Sequence, residues 1–73
     1  MATPDQKARI NRGQKALWRL IQEAEAGAAE MCDDGEFEAS AALHEMAANL
    51  RQAYAKGRAL RIGGEFVALS GEK

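Results

Sequence analysis

His44 and Ser40 are the residues in this chain whose types could carry catalysis. His44 is the sole histidine, and imidazole is the side chain most used for general acid–base chemistry. Ser40 lies one helical turn earlier, but no second group at a suitable spacing would orient the two as nucleophile and base. The sequence therefore predicts no catalytic residue, and we interpret His44 as a surface or interface residue.

Carboxylates cluster near the middle of the chain, at Asp33, Asp34, Glu36 and Glu38. A calcium loop of the EF-hand type requires oxygen ligands at fixed positions over twelve residues, and this run lacks that spacing. One histidine and one cysteine are too few for the Cys₄, Cys₃His or Cys₂His₂ ligand sets that are typical of structural zinc sites. We therefore predict no metal and no cofactor. Asp33 and Glu36 have the spacing of a capping box, with Cys32 and Phe37 placed as a hydrophobic staple.

The segment 61–67, Arg-Ile-Gly-Gly-Glu-Phe-Val, resembles the signature loop of diguanylate cyclases. That family carries two acidic residues between the glycine pair and the phenylalanine, whereas this segment has one. The chain is also far too short for that fold. The resemblance therefore indicates a shared hairpin and not a shared activity.

A chain of 73 residues forms one domain, 1–73, near the size at which a single core is marginal without further burial. The lone Cys32 excludes an internal disulfide and suits a reducing cytoplasm. Oligomerisation remains as the source of additional burial. With a mean hydropathy of −0.43 and no apolar run near ~18 residues, we predict a cytoplasmic protein without a membrane span or signal peptide.

Two helices are predicted, joined by an acidic turn at 33–36. The first spans about 4–32 and begins with Thr3, Pro4 and Gln6, a capping box with proline at the first helical position. Its apolar seam repeats every seven residues, and a second line three positions further on completes it. These positions are Ile10, Leu17, Ala24 and Met31, then Gly13, Leu20 and Gly27, with Ile21 and Ala28 beside them.

The second helix is predicted over about 36–56, with Gly57 as its stop. Its expected buried stripe is Ala39, Leu43, Met46, Leu50 and Ala53, widened by Ala47 and Tyr54. A connection of about four residues forces the two helices antiparallel.

A β-hairpin is predicted over about 58–69, because two alternating segments flank Gly63 and Gly64. A two-residue loop would pair Ile62 with Glu65, Leu60 with Val67, and Arg58 with Leu69. Residues 70–73 are expected to fray. The predicted fold class is mainly α: a long antiparallel helical hairpin followed by this β-hairpin and completed by oligomerisation into a helical bundle.

Trp18 lies beside the first seam, either buried between the helices and the β-hairpin or at an interface, where tryptophan is a typical anchor. The residues that we expect at an interface are large and mostly apolar. They are Ile10, Leu17, Trp18, Ile21, Leu43, Met46, Leu50, Tyr54 and Phe66.

Charge divides the predicted hairpin into two poles. Nine basic residues and one acid, Asp5, fall at the open end, and eight acids with no base surround the tip. The layout has two uses: two hairpins could pack with the basic end of one over the acidic tip of the other, or the basic end could bind phosphates or an acidic protein. The expected contacts for the second use are Arg9, Arg12, Lys15, Arg19, Arg58 and Arg61.

From these features we predict a non-enzymatic protein–protein interaction module. It would be an adaptor or inhibitor of the kind found among phage and accessory proteins, forming homo-oligomers and binding a further protein of unidentified type. Nucleic-acid or nucleotide-phosphate binding through the basic end is the alternative.

Overall fold

The computed structural model describes residues 2–68. Two helices, α1 (Pro4–Asp33) and α2 (Phe37–Arg58), are followed by two short strands, β1 (Arg61–Ile62) and β2 (Glu65–Phe66). The helices run antiparallel and form a rod measuring 50 × 17 × 15 Å. The predicted helical hairpin with a C-terminal β-hairpin is therefore confirmed for a single chain.

The start of α1 follows the sequence prediction. The Thr3 hydroxyl accepts a hydrogen bond from the Gln6 amide at 3.1 Å, and the Gln6 side-chain oxygen accepts one from the Thr3 amide at 2.9 Å. Pro4 occupies the first helical position, where its missing N–H is not needed. The capping box fixes where α1 begins.

The acidic turn is built differently from the prediction. α1 ends at Asp33, and the backbone amides of Gly35 and Glu36 bond back to the carbonyls of Cys32 and Met31, at 3.1 and 2.8 Å. With Gly35 at a φ of +80°, this is a Schellman motif. The predicted capping box was wrong, because Asp33 belongs to α1 and the α2 cap, Glu36, makes no side-chain cap bond. Cys32 and Phe37 are both exposed, so they do not staple the turn.

The seam between the helices is rotated from the predicted one. Its buried line on α1 passes through Gln14, Ile21 and Ala28, and on α2 through Ser40, Ala47 and Tyr54. The expected core positions Gly13, Leu20, Met46 and Ala53 are exposed instead. Two polar residues occupy the seam because each has a hydrogen-bond partner there. The Ser40 hydroxyl donates to the Ala28 carbonyl at 2.8 Å, and the Gln14 amide donates to the Tyr54 carbonyl at 2.9 Å.

Gly57 does not stop α2, which continues to Arg58. It is a buried residue of the last turn, and a Cβ at this position would overlap the side-chain amide of Gln14. Gly27 also permits a close approach, since its Cβ would lie 3.2 Å from Leu43 Cδ1. The predicted close packing near the tip is therefore confirmed at Gly27.

The β-hairpin has the predicted register in its paired residues. Ile62 pairs with Glu65 and Arg61 with Phe66, while the Val67 amide donates to the Leu60 carbonyl at 3.3 Å. Gly63 and Gly64 have φ values of 60° and 83°, as a type I′ turn requires. Arg58, which was predicted to pair with Leu69, lies in α2 and not in a strand. Leu69 and the tail 70–73 fall outside the described residues.

The hairpin is held to the start of α1 by polar contacts. Glu65 accepts from the Ala2 amide at 3.1 Å and pairs with the Lys7 ammonium at 3.0 Å. Asn11 donates to the Val67 carbonyl at 3.1 Å, and the Val67 side chain is buried. A two-stranded hairpin is only marginally stable alone, so these contacts with α1 stabilise it.

Neither helix of the described chain carries an apolar segment long enough to cross a membrane.

Candidate functional site

An open apolar groove runs along one side of the helical hairpin. It has a volume of about 380 Å³ and is lined by Leu20, Glu23, Ala24, Leu43, Met46 and Leu50. Leu20 and Met46 are 53% and 51% exposed, although both belong to the apolar stripes that the sequence shows. Because α1 and α2 meet along a rotated seam, one edge of each stripe faces out of the hairpin, at Gly13 and Leu20 on α1 and at Met46 and Ala53 on α2.

The α2 side of this surface extends beyond the groove and carries no charge. Residues three, four and seven apart share one face of a helix. On α2 that face consists of Ala39, Leu43, Met46, Leu50 and Ala53. Leu43 and Leu50 are half-buried against α1, while Met46 and Ala53 are exposed. A solvated helix face normally carries charged residues, so this one resembles a contact surface.

The α1 side is built from small residues around one leucine. Its positions are Gly13, Ala16, Leu20, Ala24 and Gly27. No atom of the described residues beyond the local turn of α1 would meet a Cβ at Gly13 within 4 Å. Within the hairpin, nothing offsets the roughly 1 kcal/mol by which glycine disfavours a helix interior. Glu23 also lines the groove on this side. These six residues and the α2 face together are called the groove face below.

Ser40 and His44, the residues considered for catalysis, differ in their surroundings. The Ser40 hydroxyl is buried and donates to the Ala28 carbonyl, and this hydrogen bond links α2 to α1. His44 is exposed on α2. Across residues 2–68, no group of three or more His, Cys, Asp or Glu side chains is arranged to hold a metal ion.

No protein-family model matches the chain. Neither a curated protein nor a solved structure matches it at a significant level. The groove face is therefore interpreted from its own geometry.

Trp18 lies on the opposite side of the seam from the groove. Its ring packs on Tyr54 with centroids 5.4 Å apart, and the Arg51 guanidinium lies 5.7 Å from the Trp18 ring centroid. Glu25 holds Arg51 in place by accepting from both Nε and Nη2, at 2.9 and 2.6 Å. Trp18 is 40% exposed. Of the two alternatives for this residue, burial between the helices and the β-hairpin is therefore not the one that the structure shows.

The other expected interface residues are distributed over four places. Leu43, Met46 and Leu50 line the groove. Ile21 and Tyr54 are buried in the seam, and Ile10 and Leu17 are half-buried on α1. Phe66 is exposed on the outer face of the β-hairpin, where the Arg61 guanidinium lies 4.2 Å from its ring centroid.

The expected phosphate-contact residues gather at the open end of the rod without converging on a point. Arg9, Arg12, Lys15 and Arg19 are exposed along α1, and Arg58 and Arg61 are exposed at the end of α2 and in β1. The structure adds Glu65 to this end, where it pairs with Lys7. Side-chain and backbone hydrogen bonds from Lys7 and Ala2 lower the pKa of Glu65 below 4.5. Within residues 2–68, the open end therefore contains two acidic residues, Asp5 and Glu65, where the sequence interpretation counted Asp5 alone.

Sequence reasoning missed the roles of Gln14 and Asn11. Gln14 is a buried polar residue in an otherwise apolar line, and Asn11 joins α1 to the β-hairpin. The spacing of seven residues from Gln14 to Ile21 and Ala28 is the signal that would have placed Gln14 in the seam.

Proposed function

We propose that this protein is a small non-enzymatic protein–protein interaction module whose binding surface is the groove face. The observation that carries the proposal is the exposure of Leu20 and Met46, each more than half accessible, on a surface where Glu23 is the charged member of the groove lining. A contiguous exposed apolar surface is typical of a site where another protein docks.

The chemistry of a docked partner follows from the surface. The partner presents an apolar helix or helix pair, because the groove is open and bounded by two antiparallel helices. Met46 at the centre suits such a contact, since a flexible thioether adapts to an irregular neighbour. The small residues of α1 allow a partner backbone to approach closely.

The test is capture from a host lysate by three tagged baits, followed by quantitative mass spectrometry. The baits are the natural chain, Met46→Glu and the matched control Ala48→Glu, which adds the same charge two residues away at an exposed position outside the groove. A protein lost with Met46→Glu and retained with Ala48→Glu supports the proposal; an untagged copy of this chain counts as such a protein. If Met46→Glu retains every partner, the groove face is not the binding surface.

Nucleic-acid binding is the second candidate, and the exposed bases of α1 favour it. Arg12, Lys15 and Arg19 lie on the solvent side of the helix, where they could contact successive phosphates. A gel-shift assay with duplex and single-stranded oligonucleotides at low and moderate salt tests this candidate. Phosphate contacts are strongest at low salt, so the lack of any shift there would exclude it.

A further inference from the structure

We propose that the partner seated on the groove face is a second copy of this chain, related by a two-fold axis that lies across the helices. In this antiparallel pair, the acidic tip of each hairpin lies beside the basic open end of the other, and the four helices form a bundle. The inference rests on the proposed function, because it names the partner of the same surface.

The charge layout selects the antiparallel arrangement. Eight carboxylates surround the tip, and nine bases, with the acids Asp5 and Glu65 among them, lie toward the other end of a rod 50 Å long. A parallel pair would place like poles together, which is unfavourable, whereas an antiparallel pair places unlike poles together. The described chain contains two ion pairs, Lys7–Glu65 and Arg51–Glu25, so most of these charges are available to a partner.

Apart from Glu23, the groove face is symmetric in residue size. On α1, small residues flank Leu20 on both sides, with Ala16 and Ala24 four positions away and Gly13 and Gly27 seven positions away. On α2, Leu43 and Leu50 flank Met46, followed by Ala39 and Ala53. A two-fold axis makes each contact twice, so that residue i meets j and j meets i. With the axis near Leu20, Gly13 of one copy lies opposite Gly27 of the other, which accounts for a glycine at position 13.

The acids in the last turn of α1 are also explained by a partner. Negative charge at a helix C-terminus is disfavoured by the helix dipole, yet Glu30 and Asp33 occupy the last turn of α1, where no basic residue is present. These acids disfavour the isolated hairpin, and an adjacent basic end would offset this cost.

The first experiment measures self-association by sedimentation equilibrium from micromolar to millimolar concentration. The natural chain is expected to form a dimer, and Met46→Glu is expected to weaken the dimer by at least ~100-fold, because each copy buries a charge in an apolar contact. Ala48→Glu is the control and should change the dissociation constant by less than about threefold, as surface changes usually do. Leu20→Lys, with Gln22→Lys as its control, repeats the test on α1 should Met46→Glu lose its helical circular dichroism.

The second experiment measures the orientation. Cys32 is the sole cysteine of the chain and is exposed at the tip, so a spin label on it reports the distance between the two tips. An antiparallel pair centred near Leu20 predicts about 30–36 Å, from twelve residues of helix on each side of the axis at ~1.5 Å per residue. Tip-to-tip packing predicts a separation within roughly 20 Å, given helices packed ~10 Å apart, and that result overturns the antiparallel pair.

The results distinguish the two proposals. A chain that stays monomeric at millimolar concentration overturns self-pairing, while lysate capture still decides whether another protein occupies the groove face. A dimer that Met46→Glu and Leu20→Lys leave intact overturns self-pairing through this face. Loss of the dimer with both variants, together with the long distance between labels, supports the antiparallel pair.

Discussion

At the scale of residues, the close contact of Gln14 with Gly57 joins the two helices near the open end of the hairpin. The Gln14 amide reaches the Tyr54 carbonyl only because Gly57, three residues further on, has no side chain. The two helices therefore approach closely around the buried Gln14 amide, which is hydrogen-bonded to α2. Gln14 and Gly57 should behave as a pair, each tolerating little change.

The substitution Gly57→Ala tests this contact. The new Cβ would displace the Gln14 amide from its buried bond, which costs ~1–3 kcal/mol, against a gain of ~1 kcal/mol in helix propensity. We expect a net loss of about 1 kcal/mol in the free energy of unfolding. Urea unfolding followed by circular dichroism measures it, in a Met46→Glu background so that self-association does not contribute.

Gly13→Ala is the matched control on the same background. A Cβ at Gly13 meets no described atom beyond its own helix, so the helix-propensity gain is not offset. We expect this variant to be more stable by about 0.5–1 kcal/mol. If Gly57→Ala stabilised the chain by the same amount, the packing around Gln14 would be looser than the structure shows.

Glu65 gives the hairpin contact a dependence on pH. Its pKa is lowered chiefly by the hydrogen bond from Lys7, then by the bond from the Ala2 amide. A carboxylate with a lowered pKa stabilises the folded state above its ordinary pKa, and this contribution is lost as the pH falls through the lowered value. We therefore expect the β-hairpin to stay docked above pH 4.5 and to loosen in more acidic solution.

The measurement is an NMR titration of the Glu65 carboxyl carbon and of the Val67 amide. Both should show the same transition, below pH 4.5. In Glu65→Gln, the Val67 amide should lose that transition. A Glu65 carboxyl that titrates at its ordinary pKa would show that Lys7 and Ala2 do not hold it.

At the scale of elements, the sequence predicted which segments are helices and part of the face that each helix buries. The expected stripe residues Ile21, Ala24, Ala28, Ala47 and Tyr54 are buried, but the centre of the seam is rotated from the centre of each stripe. The heptad spacing identified a real apolar stripe on α1. Its width covers both the seam and the groove, and the seam position Gln14 is polar. Hydrophobicity alone therefore favoured Gly13 and Leu20 over the line through Gln14, and Met46 over the line through Ser40.

The helix ends show a second limit of the sequence. Thr3 with Gln6 and Asp33 with Glu36 have the same capping-box spacing, and only the first pair forms the box. At the tip, the Schellman motif at Gly35 supplies hydrogen-bond donors to the last carbonyls of α1, and Asp33 is therefore the final residue of that helix. A glycine at the αL position thus overrides a weaker cap signal.

Alanine substitutions at these two positions test the difference. Thr3→Ala should lower the stability of the hairpin by about 1 kcal/mol, the usual cost of losing a cap. Asp33→Ala should change it by no more than about 0.5 kcal/mol, and in the stabilising direction, because it removes a negative charge from a helix C-terminus. Thermal unfolding in the Met46→Glu background compares the two. A loss at Asp33 as large as that at Thr3 would mean that its side chain caps α2 after all.

At the scale of the whole molecule, the candidate site was predictable in part. Leu43, Met46 and Leu50 were expected at an interface from their size and spacing alone, and all three line the groove. Leu20 was assigned to the core, since a sequence pattern cannot show that the stripe extends past the width of one partner helix. In a chain of two helices, the part of each apolar stripe that lies outside the seam stays exposed and can contact a further partner.

Because the molecule has two charged poles, the direction in which salt changes the dimer dissociation constant distinguishes an antiparallel pair from a parallel one. In an antiparallel pair, unlike poles attract one another, so screening by salt weakens the dimer; in a parallel pair, like poles repel, so salt strengthens it. Between ~0.1 M and ~1 M ionic strength the Debye length falls from ~10 to ~3 Å, which removes most interactions between exposed charges.

We expect the dimer dissociation constant to rise about tenfold over this range, as measured by sedimentation in sodium chloride. The double variant Arg12→Gln, Lys15→Gln should flatten the dependence, because it removes two charges from the basic pole without touching the groove face. A dimer that tightens with salt would be held by its apolar contacts against like-charge repulsion, and the acidic tips would then lie together.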